Sequence, residues 1–322
     1  IKQTLAKNWK EIARPARNCL LVLLVLSLLH LILTPNTLLF GGPYRLQGTL
    51  LFMLLLLFSV ISADIQIAVI SSRLWFVTFT GLCATSLFLP FMLNGRIVGT
   101  LGEPNALAAT MIFLWPIAFY NIPHRFKHYG GITQITMILM TGAILFLSGS
   151  RSAVIAISLQ SIIFLFNKKL GAGLIVICCL LLLAISFILP FLQQESSVDN
   201  RKQIWYIAYQ AGLTSPIVGH GFGSVEKSMN TIAQKYPQYY LKDEIIDSSH
   251  NILLDWWIQG GILGVGAFIT LLGICFVSFI KRSMVVEISL LIGLLTVLSF
   301  NPASIVTLIA FWYCVGQGIR SH

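Results

Sequence analysis

Apolar side chains in this chain do not alternate with polar ones as they would in a half-buried strand or a surface helix. They gather into long blocks divided by short polar connections. A block of about 20 residues crosses the hydrocarbon core of a bilayer as an α-helix, and shorter blocks do so when flanking side chains snorkel. Ten blocks read as spans, near 17–34, 50–63, 74–92, 106–120, 132–148, 152–166, 171–191, 251–280, 285–299 and 303–318. Arg151 divides what would otherwise be one continuous run. The expected fold class is all-α, a polytopic transmembrane helical bundle.

Basic residues then orient the bundle, because cytoplasmic connections collect Lys and Arg. With the N-terminus inside, the cytoplasmic side receives Lys2, Lys7, Lys10, Arg14, Arg17, Arg73, Arg125, Lys127, Lys168, Lys169, Lys281, Arg282 and Arg320. The outer side keeps Arg45, Arg96, Arg151, Arg201, Lys202, Lys227, Lys235 and Lys242, five of them in one long connection. Ten spans with both termini cytoplasmic satisfy the rule.

That long connection divides the chain into an N-terminal bundle at 1–191, an outer loop at 192–250 and C-terminal helices at 251–322. A connector of this length points to a functional cap. Asp199 to Leu213 reads as an amphipathic helix with Ile204, Ile207, Ala208 and Ala211 on one face, and Pro216 with Gly219, Gly221 and Gly223 ends it. Ser224 to Tyr236 suits a second short helix. Gly260-Gly261-Ile262-Leu263-Gly264 reads as a close helix-packing site.

Composition agrees with this picture. The chain has 322 residues, 57% of them hydrophobic and 10% charged, with mean hydropathy +0.85. A soluble domain carries about 25% charged residues. The net charge of +10 would suggest a nucleic-acid partner in a soluble protein, but no basic, aromatic-interleaved stripe exists and none is expected. Cys19, Cys83, Cys178, Cys179, Cys275 and Cys314 all fall in apolar runs, as small buried hydrophobes do. No carboxylate pair or repeated Asp motif calls for a metal. No cleavable signal is visible, and the opening Ile1 leaves room for an upstream segment.

The candidate chemistry lies at the outer ends of the runs. Arg45 follows Pro43-Tyr44, Arg96 precedes Gly99 to Asn105, Arg151 interrupts Ser148-Gly149-Ser150 and Ser152-Ala153, Arg201 opens the loop helix, and His250 precedes Asn251 at the eighth span. Guanidinium groups at one depth are costly unless an anion meets them, and their fork grips phosphate oxygens. Simpler roles stand beside these: Arg45 and Arg96 as snorkelling residues, Arg201 on a solvated helix, and His250 as an interfacial residue next to the helix-capping Asn251.

The stretches Gly-Thr-Leu-Gly-Glu-Pro-Asn-Ala-Leu-Ala at 99–108, Ser-Gly-Ser-Arg-Ser-Ala at 148–153, Arg201 with Trp205, Gly219 to Gly223, and His250-Asn251-Ile252-Leu253-Leu254 before Gly260-Gly261 resemble, in order and spacing, the O-antigen ligase and polymerase superfamily. The resemblance covers about 45–270. It implies a GT-C-like membrane glycosyltransferase of the bacterial plasma membrane, with its active site facing the periplasm or exterior. It also implies transfer of a glycan from an undecaprenyl-pyrophosphate carrier to an acceptor hydroxyl on a glycolipid or similar molecule, without metal or other cofactor. Arg151 and Arg201 match the arginines that face the pyrophosphate, Arg45 and Arg96 match less closely, and His250 matches the catalytic histidine. Glu103 and Asn105 are possible accessories, and Glu244 and Asp247 are rival bases. Relatives of the ligase type have about twelve spans, so a missing N-terminal piece is expected. The motifs serve the donor, so ligase, polymerase and protein oligosaccharyltransferase remain open. A transporter of a lipid-linked anion is the alternative from another class, although it would place polar groups near mid-membrane in two related halves.

Overall fold

The computed structural model describes residues 2–33, 39–64, 72–88, 91–93, 95–122, 130–167, 197–236 and 245–321. Helices occupy every predicted run that falls largely within them: α2 (Arg14–Leu33), α3 (Thr49–Ser62), α4 (Ser72–Phe88), α5 (Pro104–Tyr120), α6 (Gly130–Ser148), α7 (Arg151–Asn167), α10 (Ile252–Lys281), α11 (Val285–Leu298) and α12 (Ile305–Ile319). The run at 171–191 lies outside the described residues. A short α1 (Lys2–Glu11) leads in, and α8 (Ser197–Leu213) and α9 (Val225–Ala233) form the loop. Neither α1 nor a small hairpin was expected. Met92–Leu93 and Arg96–Ile97 pair as an antiparallel hairpin, β1 and β2, beyond the end of α4, where Gly95 takes φ +73°.

By length and composition, three of the described helices can cross a membrane alone, Arg14–Leu33, Gly131–Ser148 and Ile252–Lys281, and five more are shorter apolar helices. The protein is a mostly helical integral membrane protein. Exposed Leu, Val and Ile side chains along α2, α6 and α10 would be untenable in water and suit contact with lipid.

Helix α7 packs on α11, α2 on α10, α3 on α12, and α5 on α6 and α11. A buried amide ties three of these together. Gln160 of α7 accepts from the Trp115 indole at 2.6 Å and donates to the carbonyls of Ile112 at 3.0 Å and Ser289 at 3.1 Å. Gly293 makes room, since a Cβ there would lie 2.3 Å from the Gln160 amide nitrogen. Every polar atom of that amide is thereby used, as an apolar interior requires.

The two ends of the bundle differ. At one end Ala13 N–H donates to Ile319 O at 2.9 Å, and Arg320 meets Glu11 at 3.0 Å and Asp64 at 3.3 Å. Both ends of the chain therefore share this face. At the opposite end the loop docks. His30 near the end of α2 contacts Gly219 O at 3.2 Å, and Thr49 at the start of α3 donates to Phe222 O at 2.9 Å.

The loop has a small core of its own. Ile207, Ala208 and Ala211 of α8 are buried against Val225, Met229 and Ile232 of α9, together with Ile246 and Ile258. This is the apolar face that the sequence pattern marked.

The Gly260-Gly261 pair plays a different role from the expected one. Helix α10 breaks there, with Gly261 at φ +58°, ψ −157°, a region essentially restricted to glycine. The loop fills the break with backbone hydrogen bonds. His220 N–H donates to Ile258 O at 2.8 Å, Gly221 N–H to Gln259 O at 2.9 Å, and Ile262 N–H to Pro216 O at 2.9 Å. A Cβ on Gly219 would sit 2.4 Å from the Gln259 carbonyl, and one on Gly261 2.5 Å from Ile217 O. The glycines admit the loop's backbone into the helix; they do not admit a neighbouring helix.

Candidate active site

Loop and bundle meet where α5, α7 and α10 begin and α6 ends, and the charged residues of that end gather there. Arg96, on β2, reaches across to the α6–α7 junction, donating from Nε to Ser148 O at 2.6 Å and from Nη2 to Asn105 Oδ1 at 3.2 Å. Asn105 in turn donates to Glu103 Oε1 at 3.5 Å. The lack of a side chain at Gly149 allows this approach, as a Cβ there would lie 3.0 Å from Arg96 Nε. Arg151 begins α7 just beyond. Burial lowers the proton affinity of Arg96, Glu103 opposes that effect and Arg151 adds to it. Arg201, on the first half of α8, is lowered by burial and then by Arg151. These three cations thus lie near enough for charge repulsion to be felt along the series.

His250 lies within electrostatic reach of Arg201 and Arg45. Its backbone is left-handed, at φ +55°, in a turn held by serines. Ser248 Oγ accepts from His250 N–H at 3.0 Å, and Ser249 Oγ donates to Asp255 Oδ1 at 2.6 Å with Asn251 O a further 2.8 Å contact. Asn251 caps α10, accepting from Leu253 N–H at 3.0 Å and Leu254 N–H at 3.3 Å, as the sequence anticipated. Burial pushes the imidazole below its ordinary proton affinity, Asp247 pulls it back, and Arg201 and Arg45 push it down again.

Asp247 itself is paired. Arg45 donates to its Oδ2 from Nε at 2.7 Å and lies 2.6 Å away at Nη2. The segment before His250 is held by Asn230 of α9, which exchanges hydrogen bonds with Ile246 at 2.9 and 3.2 Å. Arg45, Arg96, Arg151, Arg201, His250, Glu103, Asn105 and Asp247 therefore share one end of the molecule. Glu244 lies outside the described residues.

One carboxylate escaped the sequence reading. Asp255, in the first turn of α10, also accepts from Ser249 N–H at 3.0 Å. It is enclosed by protein, and the surface it retains faces a cavity. The signal was present, since an ionisable residue inside an apolar run is a functional candidate by default, and Asp255 interrupts Ile252-Leu253-Leu254 and Trp256-Trp257-Ile258.

The family model of O-antigen ligase matches residues 135–269. Over this stretch, a little over two fifths of the chain, the sequence is similar to the O-antigen ligase family. No curated protein matches the chain. The matched O-antigen ligase segment contains Arg151, Arg201, Asp247, His250 and Asp255, together with the broken part of α10 and the loop inserted into it. Arg45 and Arg96 lie outside it and reach the O-antigen ligase segment through Asp247 and Ser148. This similarity and the apolar helices together point to an integral membrane protein resembling the O-antigen ligases.

Proposed function

We propose that this protein transfers a glycan from an undecaprenyl-pyrophosphate carrier to an acceptor hydroxyl at the outer face of the bacterial plasma membrane. Ten spans carry it, with both termini cytoplasmic, and residues 192–250 form the catalytic loop between the bundle at 1–191 and the helices at 251–322. Arg151 and Arg201, assisted by Arg96 and Arg45, hold the donor pyrophosphate. His250 takes the proton from the acceptor hydroxyl as the oxygen attacks the anomeric carbon from the face opposite the carrier, inverting the centre. The carrier pyrophosphate leaves with the bonding pair, and the guanidinium groups stabilise the charge it develops without a metal.

The observation that carries this reading is the gathering of Arg96 and Arg201 around Arg151, which repels both, near an imidazole whose proton affinity burial lowers. Such a field favours a dianionic headgroup beside a neutral base. A buried Trp205 indole N–H, one turn beyond Arg201, also has no hydrogen-bond partner. Asp247 suits the base role less well, because it is neutralised by Arg45. Transport is disfavoured, since the mid-bundle amide of Gln160 is fully occupied in joining helices.

The test is transfer by purified protein from undecaprenyl-pyrophosphate glycan in a chelating buffer. Wild type turns over, and His250→Ala loses at least about 100-fold, the scale of general-base catalysis. Near-normal turnover of His250→Ala would remove the proposed base, and a requirement for added divalent metal would remove the metal-free mechanism.

A further inference from the structure

A cleft adjoins the candidate site through Ser248, whose Oγ accepts from His250 N–H. Two adjoining cavities share Gln47, Asp255, Gln259 and Ala303. The smaller is bounded by Arg45, Asp247 and Ser248, next to His250. The larger, about 80 Å³, runs down between α3, α10 and α12. That volume holds roughly five to eight waters, comparable with one sugar ring.

The polar groups of the cleft are oriented and incompletely used. Gln47 Nε2 donates to Ala303 O at 2.6 Å, leaving its carbonyl oxygen as an acceptor. Asn301 donates through Nδ2 to Ser152 Oγ, again leaving its oxygen. Asp255 engages Ser249 through Oδ1 and keeps Oδ2. Gln259 is fixed at both ends, accepting from Gly223 N–H at 2.9 Å and donating to Asp255 O at 3.1 Å. Glu226, on the rim, has a buried Oε2 without a hydrogen-bond partner. The cleft is therefore rich in acceptors that require hydrogen-bond donors.

Below them the walls are aromatic. Phe52 stacks on Phe222 with ring centroids 3.7 Å apart and packs edge-on to Trp256 and Trp312 at 5.6 and 5.8 Å. A narrow chamber with hydroxyl-accepting oxygens above and rigid aromatic surface below matches the two faces of a pyranose, its O–H edge and its C–H face.

We propose that this cleft is the subsite for the acceptor sugar, a neutral or weakly polar pyranose whose hydroxyls are gathered by Gln47, Asp255 and Asn301 and presented toward His250. The assignment deepens the glycosyltransfer reading and rests on it for the word acceptor, while sugar binding itself does not. Arg96, Arg151 and Arg201 then serve the donor, while Arg45, paired with Asp247, borders the acceptor cleft.

The experiment is equilibrium binding of the methyl glycosides of glucose, galactose and N-acetylglucosamine to the full chain in an amine-oxide detergent, which avoids sugar headgroups. Tryptophan fluorescence reports on Trp256 and Trp312. At least one glycoside binds saturably. Gln47→Ala, and Leu308→Trp, which fills the chamber from α12, each weaken it about tenfold or more. Thermal melting of each variant guards against misfolding. The proposal is overturned if no glycoside binds, if both folded variants bind as wild type does, or if farnesyl phosphate occupies the chamber in competition with the glycosides. Glycoside binding without any turnover of lipid-linked donor would instead count against the glycosyltransfer reading.

Discussion

A histidine that accepts a proton at neutral pH has to begin neutral, and the surroundings of His250 arrange this. Burial and the cations Arg201 and Arg45 depress its proton affinity, with Asp247 the opposing influence. In the proposed mechanism the free protein therefore keeps this imidazole unprotonated to below the ordinary histidine value of about 6.5. The acid limb of kcat/KM, which reports the free enzyme, falls below that pH. Asp247→Asn removes the one attraction that raises His250 and also releases Arg45, so both effects move the limb to still lower pH. A pH–rate profile checks the sign, and an upward shift would mean that a different group is being titrated. At this scale the sequence showed where charges fell along the chain but not which pairs formed. Arg45 and Asp247 are 202 positions apart, and no local pattern encodes such a contact. Asp255 was overlooked because a lone carboxylate in an apolar run has no periodic neighbour, although its isolation was itself the clue.

Among the elements, the break in α10 is what positions the site. The inserted backbone of Pro216 to Gly223 carries Phe222 and Gly223 into the bundle, where Gln259 and Thr49 hold them. It also anchors the α8–α9 unit to α10. Gly261→Ala places a Cβ against Ile217 O and forces a residue with a side chain into a glycine-only region, at a cost of about 1–3 kcal/mol plus the clash. The melting temperature of the detergent-solubilised variant should fall by several degrees, and transfer should fall with it. A melting temperature equal to wild type would contradict the insertion. The helices were legible because a bilayer demands unbroken apolar runs, and the face of α8 was legible because its Ile and Ala residues recur at helical spacing. The glycine pair was misread because glycine spacing is the same whether the approaching backbone belongs to a helix or to a loop. The hairpin at 92–97 was missed because two-residue strands leave no periodicity.

For the whole molecule, the chain ends pair on one face and the cations of the site gather on the other, so function depends on which face looks outward. Cysteines placed at exposed Tyr44 and Lys202 should react with an impermeant maleimide in intact cells, and those placed at Lys7 and Lys281 only after lysis. The native Cys19, Cys83, Cys275 and Cys314 are buried and contribute little background. The reverse pattern would invert the proposed topology. The account as a whole stands on the guanidinium series acting as an anion site for the lipid carrier. The direct measurement is the affinity of the purified protein for undecaprenyl pyrophosphate in the presence of a chelator, compared with Arg151→Gln and Arg201→Gln. Tight binding by wild type and a loss of about tenfold or more in each variant is the predicted result; equal affinity across all three proteins would contradict it.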